Sequence, residues 1–215
     1  MGALRAKVQF YLSMHGARLP QAHQIRIIGG RWRGRRIRFP AVADIRPTPD
    51  RVRETLFNWL GQDLDGARTL DPFAGSGALS FEALSRGATL AVAVDRKPEL
   101  VRALHAAAQM LGAALEAHCA DAQAFLAREK RLFDVVFLDP PFAAPQWEAL
   151  LPAASARVAA DGALYVEASA PVVAPVGFAI VRGDKAGQVH YHLLRRLPGG
   201  GSSGSASPSG EIGTC

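Results

Sequence analysis

The chain has 215 residues, 49% of them hydrophobic, and a formal net charge of +6. That length suits one sizeable core of about 100–200 residues with appendages. No run reaches the roughly 18 apolar residues that a membrane helix needs. The two cysteines, Cys119 and Cys215, offer neither metal-ligand spacing nor a disulfide framework, which fits a reducing cytoplasm. The charge is unevenly placed. Residues 1–60 hold 12 Lys or Arg against 3 acids, whereas 61–215 hold 13 against 16. All the excess positive charge lies in the first 60 residues. Most of it is arginine, whose planar fork suits phosphate.

Residues 1–23 read as an N-terminal extension. Their apolar segment is short and no A-x-A site follows it, unlike a secretory leader. "QIRIIGGRWRGRRIRF" (24–39) predicts two strands joined by a Gly-containing turn. "RPTPDRVRETLFNWLG" (46–61) predicts a helix capped by Thr48, with Pro49 at its first position and Gly61 at its end. Residues 24–62 therefore form a basic hairpin-and-helix unit.

From residue 67 strands and helices alternate. Strands are expected at 67–71, 89–95, 115–121, 133–139 and 162–169. Helices are expected through about Arg86, at 97–111, at 122–129 and across 146–158. An antiparallel pair, 177–184 and 187–197, closes the unit 63–197. Repeated βα units imply an α/β fold with a parallel, doubly wound sheet. The tail 198–215 is rich in Gly, Ser and Pro and is expected to be disordered.

In such sheets ligands bind beyond the C-terminal ends of the strands. Four consecutive strands end there in an acid: Asp71, Asp95, Asp121 and Asp139. Any one of them alone reads as a helix cap or turn residue; four in register would line one crevice. "LDPFAGSGALSFEAL" (70–84) supplies a glycine loop, in which Gly75 and Gly77 let a ligand approach the backbone. The dinucleotide pattern G-x-G-x-x-G fails, because Ser80 stands at its third glycine. An acid before the glycines repels a pyrophosphate and favours a cationic group. This tilts the ligand from NAD toward S-adenosylmethionine, which carries an ammonium and a sulfonium. Asp95 suits ribose hydroxyls. Asp121 with the backbone of Ala122 suits an adenine edge, and a plain N-cap role for Asp121 stays open.

"FDVVFLDPPF" (133–142) carries the chemistry. A buried strand delivers an acid, two prolines and a ring to one corner. An exocyclic amine of a nucleobase is a poor nucleophile, because its lone pair is delocalised. Asp139 and the Pro140 carbonyl can each accept one of its N–H groups and aim the lone pair. Pro140 and Pro141 stiffen the backbone, so little reorganisation is needed. Phe142 can stack on the base. No metal or covalent intermediate is required.

Together with "IRIIGGRWRGRRI" (25–37), "RPTPDRVRETLFNWL" (46–60), "LYVE" (164–167) and "AGQVHYHLLRR" (186–196), these stretches make the chain resemble the small-subunit ribosomal RNA methyltransferase D family. The resemblance covers roughly residues 24–197. It implies a Rossmann-like class I methyltransferase: a mostly parallel seven-stranded sheet with helices on both faces, plus the N-terminal β-hairpin and helix. It implies S-adenosylmethionine as cofactor, no metal, and methylation of guanine N2 in 16S rRNA of the small ribosomal subunit, by a cytoplasmic monomer. By motif position the cofactor set is Asp71, Phe73, Ala74, Gly75, Ser76, Gly77, Asp95, Arg96, Asp121 and Ala122. The target amine falls to Asp139, Pro140, Pro141 and Phe142.

Arg31, Arg33, Arg35, Arg36 and Arg38, then Arg46, Arg51 and Arg53, form a candidate platform for RNA phosphates. A solvated basic surface is the competing reading. Trp32 suits base stacking or turn packing equally, and Trp59 reads as core. Two other functions stay open: adenine-N6 methylation of nucleic acid, since the same corner suits any planar amine, and a non-catalytic rRNA-binding assembly factor.

Overall fold

The computed structural model describes residues 22–41, 48–141 and 147–198. The N-terminal extension up to residue 21, Arg46, Phe142 and the tail from residue 199 lie outside the described residues.

The basic front end is the expected hairpin. Strand β1 (Ala22–Arg26) pairs antiparallel with β2 (Arg36–Pro40), Ile25 opposite Ile37, through a 3-10 turn at Gly30–Trp32. Alternation sends Ile37 and Phe39 inward and leaves Arg36 and Arg38 exposed. Helix α1 follows (Asp50–Leu60) and ends at Gly61. Its start differs from the sequence reading. Pro49 occupies the cap position rather than the first helical turn, and Thr48 makes no cap hydrogen bond. The extended backbone of Pro49 (ψ 147°) turns Thr48 away from the helix, toward the C-terminal end of β6.

The remaining elements are β3 (Arg68–Asp71), α2 (Ala78–Ser85), β4 (Leu90–Asp95), α3 (Pro98–Leu111), β5 (Leu115–Cys119), α4 (Ala122–Arg128), β6 (Phe133–Leu138), α5 (Trp147–Ser155), β7 (Val158–Ala168), β8 (Phe178–Ala186) and β9 (Val189–Arg196). Seven strands form one sheet in the order β5-β4-β3-β6-β7-β9-β8. Strands β3 to β7 run parallel, and β9 is antiparallel to both its neighbours. The architecture expected from the alternating pattern is the one observed. Strand β7 begins earlier than expected, at Val158. Cys119 is exposed on β5, an edge strand.

Both faces of the sheet are covered, as near-continuous apolar strands require. Ala91, Ala93, Val135, Phe137, Ala163 and Tyr165 pack under the hairpin, α1, α2 and α3. Val92, Val94, Val136, Leu138, Leu164 and Val166 pack under α4 and α5. The hairpin is thus fused to the main core: Ile25, Ile27, Trp32, Ile37 and Phe39 share one cluster with Phe57, Phe81 and Leu104. Trp32 is buried in the turn, and Trp59 is half-buried and stacked on Tyr191.

The turn is locked to the end of α2. Ser85 Oγ donates to the Gly29 carbonyl (2.6 Å) and accepts from the Trp32 N–H (2.9 Å). Gly30 has φ +70°, and a Cβ there would lie 1.8 Å from the Ser85 carbonyl oxygen. Gly30→Ala is therefore expected to undock the turn, because the obstacle is backbone and φ is left-handed. The expected result is a lower unfolding midpoint and exposed Trp32 fluorescence; wild-type values for both would contradict the close approach.

Candidate active site

The sheet order reverses direction between β3 and β6, and α/β sheets bind ligands at that switch point. Strand periodicity does the rest. Positions 71, 95, 139 and 167 continue the odd-numbered rows of β3, β4, β6 and β7 and so belong to the face covered by α1, α2 and α3. Four carboxyls consequently meet at one end of one face. Glu167 was not among the candidates. Its signal was present in the "LYVE" stretch, as an acid in a strand otherwise apolar, but no turn chemistry marked it.

The glycine loop crosses the end of β3 and is tied to β4. Ala74 N–H donates to the Val94 carbonyl (2.9 Å), and Gly75 N–H donates to Asp95 Oδ2 (3.0 Å). Asp95 Oδ1 accepts from Lys97 N–H (2.8 Å). Each oxygen keeps a second lone pair for a ligand hydroxyl. Gly75 has φ +52°, and a Cβ built on it meets nothing nearer than the Phe73 carbonyl at 3.9 Å. The loop is therefore open on its outer side at Gly75. Ala74 and Ser76 are buried, and Phe73 is half-buried.

Asp71 lies beneath this loop, 3% exposed. Ser80 Oγ donates to it (3.0 Å), as does the Phe73 backbone. Ser80, which breaks the dinucleotide pattern, thus has a positive role: glycine there would leave Asp71 without that donor. Burial pushes the Asp71 carboxyl up to about 7, helped by the charge of Asp139 and opposed by Ser80. Arg96 and Asp121 are exposed and Ala122 is buried. Asp121 caps α4, one oxygen accepting from Ala124 N–H (3.0 Å). Its other oxygen takes no part in that cap.

Asp139 is partly exposed, Pro140 is buried and Pro141 is exposed. Thr48 Oγ donates to Asp139 Oδ2 across 3.4 Å, from 91 residues away in the chain. Burial raises the Asp139 carboxyl, and the Thr48 hydroxyl opposes the rise. Glu167 is 4% exposed and accepts from Tyr165 Oη (2.7 Å). Burial raises it further than Asp139, with the Asp139 charge as the next cause. Among the described residues no group of three or more His, Cys, Asp or Glu is placed to hold a metal ion.

The arginines do not form one platform. Arg53 is buried, 1% exposed, with Nη1 3.4 Å from Glu82 Oε2 and Nη2 against Asp50. It also donates to the carbonyls of Thr48 (3.2 Å) and Arg26 (3.0 Å). Its assignment to RNA is corrected: it is an internal strut joining hairpin, α1 and α2. The reason is helical geometry, since Arg51 and Arg53 are two residues apart and face different ways. Arg31, Arg33, Arg35, Arg36 and Arg51 are exposed. Arg31 also stacks over Trp32, 4.2 Å from the ring centroid. The turn that carries Arg31 rests on the C-terminal end of α2, at the end of the sheet opposite Asp139. Arg33 lines a recess of about 400 Å³ with Asn58 and Gln62, beyond the far end of α1 from Thr48. At 1.5 Å per residue, α1 separates that recess from the Asp139 corner by about 16 Å. Arg51 stands at the corner end of the same helix.

A strand-loop-helix with an open Gly75, a carboxylate clasp at the end of the second strand and a stiff acid-proline-proline corner across the switch point define a class I methyltransferase fold equipped for a planar amine. The residues present fit S-adenosylmethionine: the clustered carboxyls favour its cationic end, Asp95 has free lone pairs for its ribose, and Gly75 leaves room above the loop. Comparison with known proteins agrees. The family model described as "Conserved hypothetical protein 95" matches residues 25–195, and the chain belongs to that family. It is 42% identical over 182 residues to the Ribosomal RNA small subunit methyltransferase D of Escherichia coli (strain K12), covering 80% of this chain and 90% of the relative. The protein of the same name from Haemophilus influenzae is 36% identical over 188 residues, covering 80% and 94%. The solved Escherichia coli yhhF structure matches with a TM-score of 0.74 at 40% identity, covering 81% of this chain and 99% of that one.

Proposed function

We propose that the protein transfers a methyl group from S-adenosylmethionine to the exocyclic N2 of one guanine in 16S rRNA, acting as a cytoplasmic monomer on the small ribosomal subunit or an assembly intermediate. The observation that carries this reading is the Asp139–Pro140–Pro141 corner across the switch point from the glycine loop, in a chain 42% identical to a curated small-subunit rRNA methyltransferase.

The cofactor supplies an electrophilic methyl on a sulfonium. The protein's task is position. Gly75 lets the cofactor lie on the backbone, while Gly77 (φ +77°) turns the loop against Leu104 and Phe81; Asp95 takes the ribose, and Asp121 with Ala122 flanks the base. Asp139 and the Pro140 carbonyl accept the two N–H groups of the amine, and Phe142 stacks on the guanine. Fixing two reactants this way is worth about 7–11 kcal/mol when the alignment is good. The exposed arginines of residues 24–62 hold RNA phosphates while the base turns into the corner. Their spread along α1 fits an extended strand or stem rather than a single nucleotide.

The test is labelled S-adenosylmethionine with isolated small subunits lacking the modification, followed by nucleoside mass spectrometry. N2-methylguanosine is the expected product. N6-methyladenosine would install the adenine reading, and no transfer would leave an assembly factor. The double variant Arg33→Ala/Arg35→Ala is expected to raise KM for subunits, leave cofactor affinity intact, and flatten the dependence of binding on salt by about two phosphate contacts. Unchanged activity at raised salt would remove these arginines from the RNA contact.

A further inference from the structure

The corner contains two neighbouring hydrogen bonds that the transfer chemistry above does not use. Tyr165 Oη donates to Glu167 Oε1 at 2.7 Å, and Thr48 Oγ lies 3.4 Å from Asp139 Oδ2. The same Thr48 hydroxyl acts on Glu167, opposing the rise of its carboxyl. Strands β6 and β7 are paired in register, Phe137 beside Tyr165 and Leu138 beside Val166, so Asp139 follows beside Glu167. Thr48, Tyr165 and Glu167 are all buried. The two carboxyls therefore lie side by side with Thr48 bonded to one of them, and a hydroxyl has only one hydrogen to give. Two like charges held together in a buried site do not both ionise readily; one keeps a proton.

We propose that Thr48 and Glu167 are positioning residues for the methyl transfer. Glu167 stays protonated and donates to Thr48 Oγ. Thr48 in turn donates to Asp139 Oδ2, and Asp139, ionised, presents its other oxygen to the target amine. This deepens the proposed amine-methylating function and rests on it. The direction of the chain matters: the Thr48 hydrogen on Oδ2 fixes the rotation of the Asp139 carboxylate, so the acceptor is aimed before the base arrives. Glu167 is the inner member, because Tyr165 engages one of its oxygens and its carboxyl is the more deeply buried. The other groups facing the pair are Asp71 on β3, with Asp95 beyond it on β4, Tyr191 on β9, and Arg53 on α1, whose guanidinium holds the Thr48 carbonyl.

The pH dependence has a definite sign. Asp139 must be ionised, so activity falls as pH drops through its raised value. Ionising Glu167 turns it from donor to acceptor and makes it compete for the single Thr48 hydrogen, so activity falls again as pH rises through its value. The profile is a bell whose acid limb lies above the ordinary carboxylate range. The experiment uses the full chain, small subunits and labelled cofactor, with kcat followed against pH and cofactor affinity measured in parallel. Thr48→Val is expected to lower kcat about tenfold at neutral pH and to move the acid limb upward by about one unit. Thr48→Ser restores both. Glu167→Gln, which cannot ionise, loses the alkaline limb while keeping the acid one. Cofactor affinity close to wild type reports that each variant is folded. An unmoved acid limb in Thr48→Val overturns the proposal. So does an alkaline limb that persists in Glu167→Gln, which would assign it to another group, Asp71 first. A wild-type protein that methylates no base at all would instead overturn the function itself.

Discussion

Asp139→Ala is expected to bind S-adenosylmethionine normally and to transfer its methyl about 10²–10³ times more slowly, the usual cost of losing one preorganised polar partner of a transition state. The argument is geometric. Asp139 follows β6, whose four preceding residues are buried, and the rigid backbone of Pro140 and Pro141 holds it there. The cofactor contacts belong to other strands: the loop after β3, Asp95 at the end of β4 and Asp121 after β5. Removing the Asp139 side chain therefore spares the cofactor and strips the amine of an acceptor. Single-turnover transfer to small subunits, beside calorimetric titration with cofactor, checks both halves. Near-normal turnover would take Asp139 out of the mechanism. Lost cofactor binding would place it in the other half of the site.

Glu82→Ala carries the largest expected effect on stability. Glu82 is fully buried in α2 and serves three donors. Its Oε2 accepts from Ile28 N–H (2.9 Å) and stands 3.4 Å from Arg53, and its Oε1 accepts from Arg86 Nε (2.9 Å). A buried ion pair adds little net stability, because desolvation offsets attraction. Removing one partner, however, strands the other charge and costs about 3–5 kcal/mol. For a domain of this size that corresponds to a fall in Tm of roughly 10 °C. Arg51→Ala, an exposed change two residues from Arg53, should stay within about 0.5 kcal/mol. Denaturant unfolding of the two variants beside wild type checks the contrast. Equal midpoints would show that Arg53 is solvated and not the strut described. Because Glu82 also holds Ile28, the variant should loosen the hairpin as well as the core.

Much of the site is legible in the sequence. Asp71 and Asp139 stand out because each closes an apolar run just before a proline breaks it, and Asp95 because it closes one just before Arg96 and Lys97; such a change places a residue at a strand's end. The choice of S-adenosylmethionine over a dinucleotide rested on two local facts, the acid ahead of the glycines and Ser80 in place of the third glycine. The hairpin was legible in Gly29 and Gly30 between two alternating stretches. What local pattern did not reveal were the partners. Ser80 looked like a mere departure from a motif and is the donor that satisfies Asp71. Thr48 looked like a helix cap and instead reaches Asp139. Arg53 looked like its neighbour Arg51 and is buried where Arg51 is exposed.

By itself, then, the sequence determined the order of strands and helices, the ends at which chemistry collects, and the concentration of positive charge near the N-terminus. Those depend on periods of 2 and 3.6 residues and on what glycine and proline allow, all of which operate within a few neighbours. Only the tertiary structure decided that β3 lies beside β6, that Glu167 joins Asp139 on one face, that Arg53 turns inward to Glu82, and that Arg31 sits at the end of the sheet opposite the amine corner. Each of those outcomes weighs the desolvation of a polar group against partners distant in the chain. That balance is struck only once the sheet has brought the partners together.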